Sequence, residues 1–314
     1  MQTNNMERLI GIIGPTAVGK TNLGIELAKR LDTEIISGDS MLVYHGFDIG
    51  TAKPSLEEQA GIVHHLIDVL EPTEEFNVTK FKELASQQIS SINQRGKIPI
   101  LVGGTGLYVK SLVEDYQFNE TPGDEAFRME LEKLASVHGK EYVHAMLQKV
   151  DPKSAERLHV NDFRRVIRAL EVYHIGGENI SQEKKVDTLG FEAKIIGLTM
   201  ERNKLYERIN KRVDLMIEAG LVKEVEGLLN QGVAPDCQAM KGIGYKEILA
   251  YLQGEVSLDF AIDTLKKSTR HFAKRQLTWF RKMPYIEWYD VDCVGFENIM
   301  ENVYKQIAGK YSLR

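Results

Sequence analysis

The run GPTAVGKT at residues 14–21 fits the pattern G-x-x-x-x-G-K-[ST]. Gly14 and Gly19 allow consecutive backbone amides to curl around phosphate oxygens. Lys20 supplies a cation for the terminal phosphate, and the Thr21 hydroxyl suits a Mg²⁺ ligand. Pro15, Thr16, Ala17 and Val18 complete a loop expected to hold a diphosphate-bearing substrate. The loop does not name a reaction, because kinases, NTPases and diphosphate-releasing transferases all use one. A carboxylate follows at Asp39, within the segment SGDSMLVY at residues 37–44, where it can act as a base or on Mg²⁺. Arg208 and Arg212 lie one helical turn apart on one face, spaced to clamp a diphosphate. Lys266, Lys267, Arg270, Lys274, Arg275, Arg281 and Lys282 crowd one expected helix near Phe272 and Trp279, with Asp263 the only nearby acid in sequence. Such a face suits an RNA backbone with stacking opportunities.

Positioning these groups requires a scaffold. Short apolar runs at residues 9–13, 34–36 and 98–102 each end in a Gly- or Ser-containing turn and read as buried parallel strands. Between them, residues 21–31 and 77–95 carry apolar positions at helical spacing, with Asn77 as N-cap and Gly96 as a stop. Alternating strands and helices imply an α/β fold, a P-loop NTPase-like parallel sheet flanked by helices, with its ligand beyond the carboxyl ends of the strands. From about Thr121 to Lys185 the strand signal disappears, so a small helical subdomain is inserted. The expected division is a catalytic core of residues 1–122 and 186–314 and a helical insertion of residues 123–185. Beyond it, a strand is expected at 193–200, long helices at about 202–231 and 257–282, and a late strand at 285–289.

The 314 residues are 43% hydrophobic and 27% charged, the balance of a soluble globular protein. No segment approaches the ~18 apolar residues of a membrane span, and the N-terminus lacks the h-region of a secretory signal. Cys237 and Cys293 form no CxxC pair and read as reduced thiols, so a cytoplasmic location is expected. The net charge of -5 excludes a chain basic throughout, but a local positive surface suffices for nucleic acid.

Together with GGTGLY at residues 103–108, the segments GPTAVGKT, DSMLVY and DIGTAKP closely resemble the tRNA dimethylallyltransferase (tRNA isopentenyltransferase) family. Further similar blocks are DP at 151–152, HVND at 159–162 running into RRVIRALE at 164–171, RINKRVD at 208–214, KGIGYK at 241–246 and the stretch from Thr269 to Phe280. The zinc-finger tail of eukaryotic relatives is not found, so a bacterial-type enzyme is expected. The resemblance implies transfer of a dimethylallyl group from dimethylallyl diphosphate to N6 of the adenosine just 3′ of the tRNA anticodon. Asp39 would accept the N6 proton, while Gly19, Lys20 and Thr21 with Mg²⁺ stabilise the leaving diphosphate. Thr105 would donate to its bridging oxygen, and Arg208, the better motif match of the two arginines, would clamp it. Contacts to tRNA are expected from Asp39, Ser40, Met41, Leu42 and Thr105, and from Arg128, Asn161, Asp162, Arg164 and Arg165 in the insertion. Lys241, Gly242, Gly244, Tyr245 and Lys246, and then Arg270, Lys274 and Arg275, complete that set. Leu42 stands where many relatives carry a glutamine able to bond a base edge. The chain is expected to act as a monomer.

Simpler readings stand beside these. Asp39 can be a turn residue, Thr105 a helix cap, and Arg208 and Arg212 solvated partners of Glu207, Asp214 and Glu218. His64 and His65, flanked by Leu66 and Ile67, read as packing residues. Competing functions are an ATP-dependent small-molecule or nucleotide kinase, an adenine-nucleotide isopentenyltransferase, and an RNA-binding module with a vestigial phosphate site.

Overall fold

The computed structural model describes residues 6–114, 121–177 and 189–312, which fall into two compact units. The larger unit is built on a six-stranded sheet with every pairing parallel. Its elements run β1 (Arg8–Ile13), α1 (Lys20–Leu31), β2 (Ile35–Gly38), α2 (Leu56–Gln59), β3 (His64–His65), α3 (Val78–Gln94), β4 (Ile100–Gly103) and α4 (Gly106–Val113). The spatial order is β3-β2-β4-β1 followed by two later strands. Because β1 has helices on both sides, its residues alternate between two cores: Leu9 and Ile13 face one, Ile10 and Ile12 the other. The first core takes Phe81, Ala85, Ile89 and Ile92 of α3, and the second takes Leu23 and Leu27 of α1.

The helical expectation for residues 77–95 holds, with the Asn77 side chain accepting from the amides of Thr79 and Lys80 and Gly96 in a left-handed turn at φ 77°. The two-residue strand β3 carried no periodic signal, so the third predicted strand is the fourth in the chain. It pairs with β2 at Ile35 and Ile36. Its histidines pack as expected: His65 Nε2 lies 2.7 Å from Glu34 Oε2, and His64 Nδ1 lies 2.8 Å from the Ile62 carbonyl. Among the described residues no group of three His, Cys, Asp or Glu side chains could hold a metal ion.

In the second unit, α5 (Glu125–His138), α6 (Lys140–Val150), α7 (Pro152–Arg157) and α8 (Phe163–Gly176) enclose their own core of Leu131, Val143, Leu147, Val166 and Leu170. The expected boundary at residues 185/186 lies outside the described residues.

The larger unit resumes with β5 (Glu192–Thr199), which lies beside β1. The long helix expected over 202–231 is two, α9 (Arg202–Glu218) and α10 (Leu221–Asn230), because Gly220 turns left-handed at φ 101°. Then come α11 (Tyr245–Leu252), α12 (Leu258–Phe280), β6 (Ile286–Asp290), α13 (Val291–Val294) and α14 (Phe296–Tyr311). Of these, α11, α13 and α14 have no counterpart among the expected elements; α14 is the longest of the three. Its Ile299, Val303 and Ile307 close the core over α1. The strand order reverses around β1, so the loops after β1, β2 and β4 gather at the carboxyl edge of the sheet, where a doubly wound fold binds its ligand.

Candidate active site

Three loops make the site. In the first, between β1 and α1, Gly14 has φ 149°, and a Cβ there would meet the Leu198 carbonyl oxygen at 2.5 Å. Ala17 and Gly19 also take positive φ, while Val18 is buried beneath the loop. These turns bring the chain to the N-terminus of α1, whose first turn holds no acid, so the positive end of the helix dipole faces the loop. Thr21 is exposed in that turn. Lys20 is half-buried, and its Nζ donates to the Pro15 carbonyl at 2.7 Å. Burial pushes the Lys20 ammonium down to about 7, the Arg212 charge adds to the fall, and the Asp39 charge opposes it.

Arg212 enters from α9 and donates from Nη1 to Thr16 Oγ1 at 3.3 Å. Burial pulls its guanidinium below the usual arginine range, with Asp39 the main opposing charge. Arg208, one turn earlier, is exposed to solvent. The structure therefore reverses the order in which the two arginines were ranked: the motif favoured Arg208, but α9 turns Arg212 to the loop.

The second loop follows β2. Asp39 Oδ1 accepts the Met41 amide at 2.8 Å, so the turn reading is correct for one oxygen and leaves the other for chemistry. The Asp39 charge is felt at Lys20, Arg212 and Tyr108, which places all four groups around one site. Ser40, Met41 and Leu42 are each half-buried. The rest of this loop is tied down by two charged anchors. Lys53 Nζ donates to the Tyr44 carbonyl at 2.8 Å and pairs with Asp48 and Asp68. Glu224 of α10 accepts the amides of Asp48, Ile49 and Gly50 and, at 2.6 Å, the Tyr245 hydroxyl.

The third loop joins β4 to α4. Thr105 stands at the N-cap position of α4, yet its side chain makes no capping bond. Its amide donates to the Gly38 carbonyl at 3.4 Å, holding it beside the strand that carries Asp39.

Joining the first and third loops is a residue to which sequence reasoning gave no role. Gln276, on α12, is 4% exposed. Its Oε1 accepts the Thr16 amide at 2.9 Å and its Nε2 donates to the Gly104 carbonyl at 2.9 Å. A Cβ on Gly104 would overlap that amide nitrogen, which explains the glycine.

The residues expected to meet RNA fall into two groups. Gly244 and Tyr245 are buried, the Tyr245 ring lying against Phe47 at a centroid distance of 4.5 Å. This corrects the expectation for both: they shape the second loop through Glu224 and Gly50 and present no surface. Gly242 has a similar part, since a Cβ there would meet the Met41 side chain. Lys241 and Lys246 are exposed. Along α12, Lys266 pairs with Asp214 at 2.6 Å, an acid from another helix that the local charge count missed. Arg270 donates to Asn210 Oδ1 at 2.6 Å. Lys274 and Arg275 are exposed and, with His271, Thr278 and Trp279, line an open groove of about 390 Å³.

In the helical unit, Arg128 Nε donates to Glu171 Oε1 at 2.8 Å, and the fully buried Glu171 also accepts the Asp124 amide and Arg168. Burial alone would raise the Glu171 carboxyl, but these hydrogen bonds outweigh it and hold the group below the usual carboxylate range. Arg128 thus has a structural duty besides the RNA contact expected of it. Asn161, Asp162, Arg164 and Arg165 are all exposed on the same unit.

This geometry can seat a diphosphate on loop amides, place Lys20 and Arg212 against it, and present a carboxylate and a hydroxyl to a reacting group. Comparison with known proteins is consistent in outcome. The chain matches the profile of IPP transferases over residues 42–283. It is 52% identical over 310 residues to the tRNA dimethylallyltransferase of Bacillus anthracis, covering 98% of each chain. The structure superposes on a full-length tRNA isopentenylpyrophosphate transferase from Bacillus halodurans with TM-score 0.73 and 48% identity, covering 97% of this chain and 96% of that one. A eukaryotic dimethylallyltransferase described as acting on tRNA matches with TM-score 0.81 and 31% identity, over 96% of this chain and 80% of the other.

Proposed function

The chain belongs to the IPP transferase family, and on that premise we propose that it transfers a dimethylallyl group from dimethylallyl diphosphate to N6 of the adenosine 3′-adjacent to the anticodon of tRNA, releasing diphosphate. The C–O bond to diphosphate breaks as the C–N bond forms. The N6 lone pair is delocalised into the ring, so N6 attacks well only as its proton leaves, and Asp39 accepts that proton through the oxygen its turn leaves unused. Negative charge gathers on the departing diphosphate. The loop amides, Lys20 and Arg212 meet it without reorganisation, and the Thr105 hydroxyl donates to the bridging oxygen.

Mg²⁺ fits this donor set. Thr21 offers one exposed hydroxyl, and a Mg²⁺ ion on a phosphorylated substrate takes few protein ligands. When bound, the ion would neutralise diphosphate charge. The exposed Asn161, Asp162, Arg164 and Arg165, together with Lys241, Lys246, Lys274 and Arg275, would carry the RNA. Among the described residues no helix is long and apolar enough to cross a membrane. As an enzyme acting on tRNA, the chain would work in the cytoplasm, as a monomer.

The observation that carries the reading is one phosphate loop with Lys20 held on its Pro15 carbonyl and Arg212 on its Thr16 hydroxyl, beside the loop that carries Asp39. The test is incubation with unmodified tRNA, Mg²⁺ and labelled dimethylallyl diphosphate, followed by digestion to nucleosides. Prenylated adenosine is expected, with one diphosphate released per label transferred. Label confined to the diphosphate substrate, together with phosphoryl transfer from ATP to a small acceptor, would overturn the proposal in favour of a kinase.

A further inference from the structure

Glu224, in the first turn of α10, turns its carboxylate into the loop that follows β2. Its Oε2 accepts the amides of Asp48 and Ile49 at 3.2 and 2.7 Å, and its Oε1 accepts the Gly50 amide at 3.1 Å and the Tyr245 hydroxyl at 2.6 Å. Successive amides turned onto one anion form the kind of nest that elsewhere cradles a phosphate. Here a side chain of the protein fills the nest, so it serves as an anchor. Two routes lead from that anchor to Met41. Along α11 and the turn before it, a Cβ on Gly50 would stand 2.6 Å from Tyr245 Cζ, and a Cβ on Gly242 would stand 2.5 Å from Met41 Cε, so both contacts are closed. Along the loop itself, the Lys53 amide donates to the Asp48 carbonyl at 2.9 Å and Lys53 Nζ donates to the Tyr44 carbonyl at 2.8 Å. The Tyr44 amide then donates to the Met41 carbonyl at 3.3 Å. Met41 in turn donates its own amide to Asp39 Oδ1 at 2.8 Å. Glu224 therefore bears from two sides on the backbone amide that orients the Asp39 carboxylate.

We propose that Glu224 is a positioning residue for the transfer, aiming the Asp39 carboxylate at the attacking amine of adenosine through the Met41 amide. The proposal rests on the RNA-prenylating reading. It is tested with Glu224→Gln, which keeps the size of the side chain but, whichever way its amide turns, sets an N–H against donors that the carboxylate accepts. Single-turnover transfer at saturating RNA and dimethylallyl diphosphate should fall about 10- to 100-fold, the cost of a reacting group displaced by up to ~1 Å. Binding of inorganic diphosphate with Mg²⁺ should stay as in wild type. The separating readout is a double-mutant cycle. In an Asp39→Asn background Glu224→Gln should cost less than about three-fold, because the base it aims is already gone. A residue that only supports the fold would lower the rate by the same factor in both backgrounds. Hydrogen exchange at the Met41 amide should quicken in Glu224→Gln. Tyr245→Phe removes one donor from the carboxylate and should show the same pattern at about 5-fold, the worth of one hydrogen bond, and it carries the decision if Glu224→Gln does not fold. Equal rate losses in the two backgrounds, or Met41 exchange unmoved, overturn the proposal. Quickened Met41 exchange in a protein whose wild type forms no prenylated adenosine would overturn the functional reading and leave the anchoring of the Asp39 turn standing.

Discussion

The phosphate loop and the outer face of α12 both carry basic side chains, but they hold them in opposite ways. At the loop, Lys20 and Arg212 are withdrawn from water, and each is aimed by a hydrogen bond, to the Pro15 carbonyl and the Thr16 hydroxyl. Withdrawing Lys20 from water, and setting a second cation beside it, is costly, which shows in its ammonium being pushed down to about 7. On α12, Lys274 and Arg275 stand in solvent, where screening keeps each interaction weak and adaptable. The first arrangement is prebuilt for charge that appears during a reaction. The second suits a polyanion whose many phosphates bind by counterion release. One helix joins the two regions, since α12 carries Gln276 into the site and the cationic groove outside it.

The sharpest break in this comparison should come from Asp39→Asn, which keeps the shape and the bond to the Met41 amide while removing charge and basicity. Single-turnover transfer at saturating substrates should fall about 10²- to 10⁴-fold, with binding of diphosphate and RNA nearly unchanged. A rate within three-fold of wild type would move the base elsewhere.

A smaller effect is expected from Gln276→Leu, which fills the same space but frees the Thr16 amide and the Gly104 carbonyl. The two loops then lose their fixed spacing, and the transfer rate should fall about 10-fold, as one lost preorganising contact would give. Hydrogen exchange at the Thr16 amide should speed up in parallel. Unchanged exchange would show that the loops are held by other means.

The smallest expected effect is a pH dependence. In the free protein Lys20 loses its proton near pH 7, whereas a bound diphosphate favours the charged form and raises its proton affinity. The Lys20 contribution to diphosphate affinity is therefore complete below about pH 7 and fades as pH rises above it, by at most ten-fold per unit. Comparing wild type with Lys20→Met cancels the titration of the ligand itself. Parallel curves for the two would contradict the depressed Lys20.

How much of this could be read in the sequence follows the distance between partners. The phosphate loop and its flanking strand and helix are local, so eight contiguous residues gave them away. The Asn77 cap and the Gly96 stop were legible for the same reason. Gln276 was not, because the amide it accepts lies 260 positions away, and no period or spacing records that. Arg208 and Arg212 look equivalent at one-turn spacing, and only the packing of α9 on the sheet separates them. Tyr245 reads as an exposed recognition residue until Glu224, from another helix, takes its hydroxyl. The strand β3 is two residues long and exists through pairing with β2 alone.

The separation of the two cationic regions is tested most directly by a crossed binding experiment. Titrations of inorganic diphosphate with Mg²⁺, and of unmodified tRNA over a salt series, are run on Lys20→Ala and on Lys274→Ala with Arg275→Ala. Lys20→Ala should lose diphosphate affinity and keep both its tRNA affinity and its salt slope. The double variant should keep diphosphate affinity and bind tRNA with a slope reduced by about 0.7 to 0.9 for each phosphate contact removed. Loss of both ligands in either variant, or an unchanged salt slope in the double variant, would contradict the division of labour between the buried loop and the exposed helix.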